Sequence, residues 1–565
     1  MVQEVLIYIC SIIAVAAILS VIARMIRQPP IIAYLIAGVL VGPLVFNWIG
    51  ISSPSSGLIQ TFARIGVAFL LFIVGLSLDF RLLKEIGKTA SLTGIIEVVV
   101  ISFLGFLAAI GLGFSNFTAL YIGVALAFSS TVVVVKILSD KKEMETLHGR
   151  IALGILIIQD IIAAIALMII PLLSESNNFN IVGKQIEIAV ILIIFVFLVS
   201  KFVFNKFMNY LAKSQETLFL FGIAWALALA AVFFKLGFSM EIGALIAGMS
   251  LASSKYSLDL EGKMKPLRDF FVVLFFVFFG SQLTAINKNL IFDALILSAF
   301  VILVKPIIVM ITLKMFGYTK KTNFLTSISL AQVSEFSLIL IMVGFSFRHL
   351  SQEIMNLAVL VSLITIGISA YAMNHSHRIN DWLSGVLGVF DGKIREDREC
   401  RKKCYEVILF GYHRIGYKLL ESLKNLGKNF VVVDYNPKVV LSLNKKGISS
   451  IYGDAGNKNF LADLPFEKAK LIISTIPDEQ TNMLIEEATR EANKKTIFVA
   501  TAEQPRQAID LYKSGVDYVL IPHHLGGEYA SHLIKEFGTN KKKYDKLGKE
   551  HKIHLERSRK NSTFN

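Results

Sequence analysis

Two short polar stretches, Ser129-Ser130-Thr131 and Gln159-Asp160, decide how this sequence is interpreted, because each interrupts a long apolar run. A carboxylate surrounded by hydrocarbon is costly, so Asp160 is expected to pair with another group or to bind a cation or a proton. Hydroxyl groups in the middle of a span can replace backbone hydrogen bonds where a helix unwinds. Together the two stretches predict a cation or proton site that the rest of the chain serves.

Each stretch also has a plainer interpretation. The hydroxyls of residues 129–131 could bond back to their own helix, as Ser and Thr often do in membrane spans. Asp160 could form a packing ion pair with a distant lysine, and Lys305, between Val304 and Pro306, is the obvious partner. An ionisable residue inside a span is by default a functional residue, which favours the ion site.

The composition divides the chain into a membrane part and a soluble part. Of the 565 residues 54% are hydrophobic, and the mean hydropathy is +0.63. The apolar residues form runs that are long enough to cross a bilayer. From about residue 400 the composition is that of a soluble protein. We therefore assign residues 1–380 to a membrane domain, 381–404 to a linker, 405–537 to a soluble domain and 538–565 to a basic tail.

The formal net charge of +15 does not predict binding to nucleic acid. Most of the excess lies in loop Lys and Arg residues and in the basic tail, which fits loops that face anionic lipid. The lipid bilayer is therefore an expected partner, and nucleic acid is not. The three cysteines, Cys10, Cys400 and Cys404, match no common metal motif, and no metal site is expected apart from an alkali cation at Asp160.

The hydropathy pattern predicts thirteen apolar segments in the membrane domain. If the N-terminus lies outside, sixteen Lys and Arg residues fall in the inner loops and four in the outer loops. This is a strong positive-inside bias, and the odd number of spans then places the soluble domain in the cytoplasm. The segments run near residues 3–26, 30–46, 57–80, 89–114, 118–138, 147–173, 185–205, 217–235, 240–254, 266–284, 289–316, 323–347 and 353–376.

The twelfth segment carries a second polar interruption, Ala-Gln-Val-Ser-Glu at residues 331–335. Polar breaks in one segment of each half of the chain indicate inverted repeats that share a site near the midplane. Helix ends that face each other there leave opposed partial dipoles. Thr131, Glu335 and Lys305 are the side chains that could balance them.

Small residues predict close helix packing at two further places. Gly38 and Gly42 are four residues apart in the second segment, and Gly248 follows a similar small-residue spacing in the ninth. Glu241, near the outer end of the ninth segment, is consistent either with a solvated rim or with a vestibule role.

The soluble domain has the pattern of a doubly wound α/β fold. Gly411-Tyr412-His413-Arg414-Ile415-Gly416 follows a buried strand and leads into a helix, and Asp434 ends the next strand. This resembles the dinucleotide fingerprint, in which glycines admit phosphates to a helix N-terminus and an acid binds ribose. His413 stands at the second glycine position, where a side chain would crowd a pyrophosphate. Asp454 follows the third strand and is either a second ligand contact or a helix N-cap.

Six buried runs are predicted as strands that alternate with helices. They lie at residues 407–410, 430–434, 450–452, 471–474, 497–500 and 518–521.

Several motifs occur in a characteristic order: Arg27-Gln28-Pro29, Ala37-Gly38, Gly42-Pro43, Gly75-Leu76-Ser77-Leu78-Asp79, Ser129-Ser130-Thr131, Gln159-Asp160, and Pro266-Leu267-Arg268-Asp269 leading to Phe278-Phe279-Gly280. In this order they resemble the monovalent cation:proton antiporter-2 family, specifically its Kef-type potassium/proton branch. The soluble domain resembles the TrkA N-terminal domain of regulators of potassium conductance. The resemblance covers about residues 5–375 and 405–535.

The resemblance implies an all-α polytopic membrane domain of about thirteen transmembrane helices, in which the fifth and twelfth are broken and cross, followed by a cytoplasmic Rossmann-like domain. It implies a homodimer in the cell membrane (inner or plasma membrane) that exchanges potassium, or sodium, for protons. Gln159 stands where electrogenic sodium/proton relatives have a second Asp, which points to potassium and to one-for-one exchange. The implied ion- and proton-binding residues are Asp160, Gln159, Thr131, Ser130, Ser129, Lys305 and Glu335.

The resemblance also implies a regulatory nucleotide (AMP, ADP, ATP or NAD(H)) and no covalent cofactor. Because His413 replaces a family glycine, a mononucleotide fits better than a dinucleotide. The implied nucleotide-binding residues are Gly411, His413, Arg414, Ile415, Gly416, Asp434 and Asp454. The loop at residues 254–268 lacks the acidic stretch of glutathione-gated members, so glutathione control is not expected.

Three other functions remain as alternatives. A sodium/proton antiporter would have the same fold, because selectivity depends on the geometry of the ion shell. A nucleotide-gated potassium channel would conduct without proton coupling, and the buried Asp160 disfavours it. A membrane-tethered oxidoreductase would need a substrate domain and a catalytic set that the sequence does not contain, so the protein is not expected to be an enzyme.

Overall fold

The structure is a computed structural model, and the chain divides into two compact units. The first comprises residues 1–316 and 320–390, and the second comprises residues 317–319 and 391–565. The structure describes residues 2–26, 28–48, 56–77, 82–141, 143–144, 146–169, 187–188, 191–192, 194–196, 198–200, 214–236, 238–252, 254, 256–383, 385–390, 404–412, 415–453, 455–456, 458–462 and 464–561.

The first unit is helical throughout its described part. Its helices are α1 (Val2–Met25), α2 (Pro30–Val41), α3 (Ser56–Ser77), α4 (Leu82–Gly111), α5 (Asn116–Ala127), α6 (Thr131–Asp140), α7 (Leu147–Ile169), α8 (Gln215–Lys235), α9 (Met240–Ala252), α10 (Ser257–Ser281), α11 (Lys288–Ala299), α12 (Lys305–Met315), α13 (Lys320–Ser329), α14 (Glu335–Ser346), α15 (Gln352–Asn374) and α16 (Ser376–Trp382). A π-helical turn, Phe300–Val304, joins α11 to α12.

Two of the predicted apolar segments are broken, as the polar interruptions indicated. The fifth segment divides into α5 and α6, and the twelfth divides into α13 and α14. The polar residues end one helix and cap the next: the Ser130 hydroxyl accepts a hydrogen bond from Val133 N, and Ser334 forms a capping box with Ser337. Serine at an N-cap satisfies a backbone donor that would otherwise be orphaned in the membrane.

The other predicted segments agree with the described helices, except for one that cannot be compared. Most of the seventh segment, near residues 185–205, lies outside the described residues. Each of the remaining segments overlaps a described helix or a pair of helices. Within the described residues, six helical stretches are long and apolar enough to cross a membrane. The chain is therefore a multi-pass membrane protein.

Glycines let two pairs of helices approach each other closely. A side chain on Gly38 of α2 would collide with the backbone of α10 at Val277 and Gly280. A side chain on Gly248 of α9 would collide with the backbone of α3 at Phe72. The close packing predicted for Gly38 and Gly248 is confirmed, since no larger residue fits these crossings.

The second unit contains a parallel sheet with strand order β3-β2-β1-β4-β5-β6. The strands are β1 (Val407–Phe410), β2 (Phe430–Asp434), β3 (Ser450–Tyr452), β4 (Leu471–Ser474), β5 (Ile497–Thr501) and β6 (Tyr518–Leu520). All six agree with the predicted runs to within one residue. The order reverses between β1 and β4, which makes their carboxyl ends the expected ligand-binding edge.

Helices cover both faces of this sheet. The helices whose residues enter the cores on the two faces are α17 (Gly416–Asn425), α18 (Pro437–Lys445), α19 (Lys458–Ala462), α20 (Glu479–Ala492) and α21 (Pro505–Ser514), and two further helices, α22 (Pro522–Phe537) and α23 (Lys541–Asn561), follow β6. Alternate residues of β1 enter different cores: Ile408 and Phe410 pack on one face, and Val407 and Leu409 on the other. Burial on both faces explains why the strand is a continuous apolar run without polar alternation. The predicted basic tail forms α23.

Candidate functional site

Asp160 lies at the point where the first broken helix restarts. Asp160 is carried by α7, and Thr131 is the first residue of α6. The Thr131 hydroxyl donates a 3.0 Å hydrogen bond to Asp160 Oδ2. Both side chains are partly exposed, although their neighbours Gln159 and Ser130 are buried. A carboxylate with a hydroxyl beside it is a hard oxygen site suited to an alkali cation or a proton.

The two broken helices are hydrogen-bonded to each other at their interruptions. Ser129 Oγ donates to Leu330 O at 2.9 Å, and Gln332 Nε2 donates to Ser130 O at 3.4 Å. Ser337 Oγ also donates to Ala125 O. The hydroxyls of Ser129 and Ser337 therefore bond across to the other broken helix. The alternative in which these hydroxyls only close their own helix is wrong for Ser129.

Gln159 connects the ion site to the first break. Its Oε1 accepts a 3.0 Å hydrogen bond from the backbone N–H of Ser129, a donor freed by the interruption. Gln159 is fully buried. The amide therefore holds α7 in register with the break, which keeps Asp160 beside Thr131.

Lys305 is also at the crossing, but its ion-pair partner differs from the predicted one. It begins α12 directly after the π-helical turn, and its side chain is completely buried. Lys305 Nζ donates to Gln332 O at 3.2 Å and lies 3.9 Å from Glu97 Oε1. In the described part of the chain, the pairing with Asp160 is thus replaced by a pairing with Glu97. The reason is packing, because α4 lies against both α7 and α12.

Glu97 is the residue of this site that the sequence analysis missed. It lies in α4, is completely buried, and its two neighbours on either side are apolar. The signal was present, because a lone carboxylate within an apolar segment is a functional candidate by the same rule that singled out Asp160.

Glu335 is the first residue of α14, at the second break. Its side chain is buried and accepts a hydrogen bond of 3.4 Å from Ser334 Oγ. It is close enough to Asp160 for the two charges to interact. An acid at the start of a helix is stabilised by the partial positive charge of that helix end, which is the balancing role predicted for it.

Glu241, at the start of α9, is buried with 7% of its surface exposed. The solvated-rim interpretation is therefore wrong. Its charge interacts with that of Arg64 on α3, and the guanidinium of Arg64 also donates to Ser346 Oγ on α14 at 3.2 Å. These contacts join α3 and α9 to the end of the second broken helix.

Glu143 forms a charged cluster in the connection between α6 and α7. One carboxylate oxygen lies 3.1 Å from Lys141 Nζ and 3.0 Å from His377 Nε2, and the other lies 3.2 Å from His148 Nε2. Burial raises the pKa of Glu143, but its hydrogen bonds to the two histidines and the charge of Lys141 outweigh burial and bring the pKa well below its usual range. The cluster ties this connection to α16.

In the second unit, the carboxyl ends of β1, β2 and β4 form the predicted nucleotide edge. Gly411 has φ of +83°, and a side chain there would lie 2.5 Å from Thr475 Oγ1. Asp434 is buried, and its two oxygens accept hydrogen bonds from Tyr412 N at 2.9 Å and Asn436 N at 2.8 Å. Gly416 begins α17, and a side chain there would collide with Gly411 O. Both glycines are therefore required by geometry.

Three of the predicted nucleotide contacts, His413, Arg414 and Asp454, lie outside the described residues. Ile415 is the N-cap residue of α17. The sequence analysis missed Thr475, which follows β4 and donates to Phe410 O and Gly411 O at 3.1 and 3.0 Å. Its position next to the strand-order reversal is recognisable only once the order of strands is known.

Comparisons with known proteins agree with this geometry. The profile of the family described as "Sodium/hydrogen exchanger, transmembrane" matches residues 11–373, and that of the TrkA-N domain matches residues 407–522.

Individual relatives span most of the chain. YbaL of Escherichia coli (strain K12) is 26% identical over 537 residues, covering 90% of this chain and 93% of YbaL. The glutathione-regulated potassium-efflux system protein KefC of Escherichia coli (strain K12) is 27% identical over 513 residues, covering 89% of this chain and 80% of KefC. The solved structure of the sodium proton antiporter MjNhaP1 from Methanocaldococcus jannaschii is 16% identical, with a TM-score of 0.43, covering 68% of this chain and 99% of that one.

The match to the exchanger profile extends over more than half of the chain, and the resemblance drawn from the sequence motifs is confirmed. The chain belongs to the sodium/hydrogen exchanger family of transmembrane proteins, and is a cation/proton antiporter with a TrkA-N domain after its membrane part.

Proposed function

We propose that the protein exchanges potassium for protons by alternating access at Asp160. The observation that carries this proposal is the hydrogen bond from Thr131 to Asp160 at the crossing of two broken helices. A cation and a proton cannot both neutralise one carboxylate, and an unneutralised carboxylate cannot cheaply pass the hydrocarbon barrier. Only a loaded site then moves, and this couples the two fluxes. In this role the protein carries ions and catalyses no chemical reaction.

Potassium is proposed over sodium because the residue before Asp160 is the neutral Gln159 and because the relative KefC is named for potassium efflux. A sodium/proton antiporter is the closest competitor. A nucleotide-gated potassium channel is less favoured, since a conducting pore has no need for a proton-binding carboxylate at a crossing of broken helices.

The test uses purified protein in proteoliposomes that contain a pH dye. Potassium, sodium or lithium is added outside, with and without a clamp of the membrane potential. Proton movement that follows potassium supports the proposal, and movement with sodium alone would replace potassium by sodium. Ion flux without proton movement would establish the channel.

The site is tested with Asp160→Asn, which we expect to abolish exchange while leaving a folded protein. Asp140→Asn is the matched control, because Asp140 ends α6 on an exposed surface and pairs only with the exposed Lys136 among the described residues. Exchange at the wild-type rate in Asp160→Asn would refute the assignment of the site.

We propose further that a nucleotide binds at the carboxyl edge of the sheet and regulates exchange, a coupling between two distinct sites. The Gly411 turn and the N-terminus of α17 suit a phosphate. Asp434 ends β2 at the same edge, where its carboxylate accepts hydrogen bonds from Tyr412 N and Asn436 N, and an acid at this position suits ribose hydroxyls. AMP, ADP, ATP and NAD(H) are the candidates.

The nucleotide is tested by thermal shift of the full chain with each candidate. We expect a rise in melting temperature that is lost in Asp434→Ala and kept in Asp510→Ala, a partly exposed acid on α21. Asp434→Asn, which keeps one acceptor for the loop amides, guards against simple unfolding of the loop. If no nucleotide shifts the wild-type protein, the domain has a structural role only.

We also propose the setting of this activity. The protein acts as a homodimer in the cell membrane, with the TrkA-N domain in the cytoplasm. The asymmetry of loop Lys and Arg residues supports this orientation. Protease access to the domain in right-side-out and inside-out vesicles, with crosslinking for the dimer, tests both points.

A further inference from the structure

Glu97 is a buried acid whose function the exchange mechanism leaves open. It is completely buried in α4, and neither of its carboxylate oxygens has a hydrogen-bond partner among the described residues. The nearest cation is Lys305 Nζ, at 3.9 Å from Glu97 Oε1, and Lys305 is completely buried as well. Two opposite charges that are fully removed from water need each other, because neither is tolerated alone in such a place.

Lys305 needs this partner because its other contact is neutral. Its ammonium donates to Gln332 O, a carbonyl freed by the break between α13 and α14. The residue before Asp160 is the neutral Gln159, so it supplies no second acid next to the ion site. In the described part of the chain, Glu97 is the acid that forms an ion pair with Lys305. A lysine bound to Asp160 would compete directly with the transported cation.

Gln159 lies between the two carboxylates. Its Oε1 accepts from Ser129 N at 3.0 Å, while its Nε2 is buried without a hydrogen-bond partner among the described residues. The side chains of Gln159 and Glu97 are close enough to interact. The negative charge of Glu97 therefore favours one orientation of the Gln159 amide. In this orientation Oε1 is directed to Ser129 N at the first break, and Nε2 is directed to Glu97.

We propose that Glu97 is the fixed counter-charge of Lys305 and a positioning residue for Gln159, so that Asp160 is left as the single carboxylate that exchanges ions. The inference rests on the proposed function and adds to it the residue that determines the stoichiometry. The charges of Glu97 and Lys305 cancel, and the partial positive charge at the N-terminus of α14 stabilises the Glu335 carboxylate. With Asp160 as the carboxylate that exchanges its ligand, one cation is exchanged for one proton.

The experiment compares four variants in proteoliposomes: Glu97→Gln, Lys305→Gln, the double variant, and Glu353→Gln as control. Glu353 is an exposed acid in the first turn of α15. Each single variant leaves one buried charge uncompensated, and we expect its cation half-saturation or maximal rate to worsen by about tenfold or more. The double variant leaves no buried charge uncompensated, so we expect its half-saturation and maximal rate to return most of the way to the wild-type values. The cation and pH gradients at which net exchange stops should give one proton per cation in the wild type and in the double variant.

Melting temperatures of the same variants test the pair independently of transport. We expect each single variant to melt below the wild type and the double variant to regain most of the difference. A double variant no better than the singles, or Glu97→Gln indistinguishable from Glu353→Gln, overturns the inference. Two protons per cation in the wild type also overturns it, because Glu97 would then carry a proton. A wild-type protein that exchanges nothing refutes the proposed function, and the melting pattern then shows whether the ion pair exists.

Discussion

The hydroxyl of Thr131 offers the most specific test of the ion site. It donates a 3.0 Å hydrogen bond to Asp160 Oδ2, and both groups are partly exposed. Thr131→Val removes the hydroxyl and keeps the shape of the side chain. We expect weaker cation binding, because the carboxylate loses the donor that orients it and the cation loses one oxygen ligand.

The size of the effect follows from this contact. A hydrogen bond to a charged group contributes about 1.5–3 kcal/mol, and partial exposure of the pair favours the lower end. A loss of about 1.5 kcal/mol corresponds to roughly a tenfold increase in the cation concentration for half-maximal exchange. Thr131→Ser keeps the hydroxyl and is the matched control, so its half-saturation should stay near that of the wild type.

The measurement is proton movement in proteoliposomes over a series of external potassium concentrations. A half-saturation in Thr131→Val within about twofold of the wild-type value would refute the reasoning, since it would leave less than about 0.5 kcal/mol for the contact. An equal loss in Thr131→Ser would also refute it, because the effect would then come from packing.

Two further substitutions test local chemistry. Gly411→Ala should destabilise the TrkA-N domain by about 2 kcal/mol, because it adds a collision with Thr475 to the cost of a positive φ. Gly427→Ala, also at positive φ but in open space, should be destabilised only by the cost of the positive φ. Its melting temperature should therefore fall less than that of Gly411→Ala. Glu143→Gln should lower the melting temperature at pH 7.5 and by at least as much at pH 5.5, because a carboxylate with a depressed pKa keeps its stabilising charge above its usual value of 4.5 and loses it only in stronger acid. A loss that shrinks between pH 7.5 and pH 5.5 would contradict this assignment.

The sequence predicted those parts of the fold that depend on local composition. The six strands are continuous apolar runs because both faces of the sheet are covered, and they were found to within one residue. The breaks in the fifth and twelfth segments were recognisable because polar residues interrupt apolar runs at residues 129–131 and 331–335. The Gly38 contact was foreseeable from the spacing of small residues.

The pairings within the site were less predictable. Lys305 and Asp160 are both buried in apolar segments, and their opposite charges suggested a pair. The structure pairs Lys305 with Glu97 instead, because α4 packs against α12 and brings that carboxylate to 3.9 Å. Residues 97 and 305 lie in predicted segments with six others between them, and the hydropathy pattern does not indicate which helices become neighbours.

By itself the sequence determined that the chain has a membrane part and an α/β part, where two helices break, and that Asp160 lies within an apolar segment. These features follow from the free-energy cost of burying polar groups, which depends on each residue and its neighbours in the sequence. Only the tertiary structure decided that Thr131 reaches Asp160, that Gln159 bonds to Ser129 N, and that Glu97 faces Lys305. Those contacts depend on distances of a few ångströms between helices far apart in the chain, which packing alone determines.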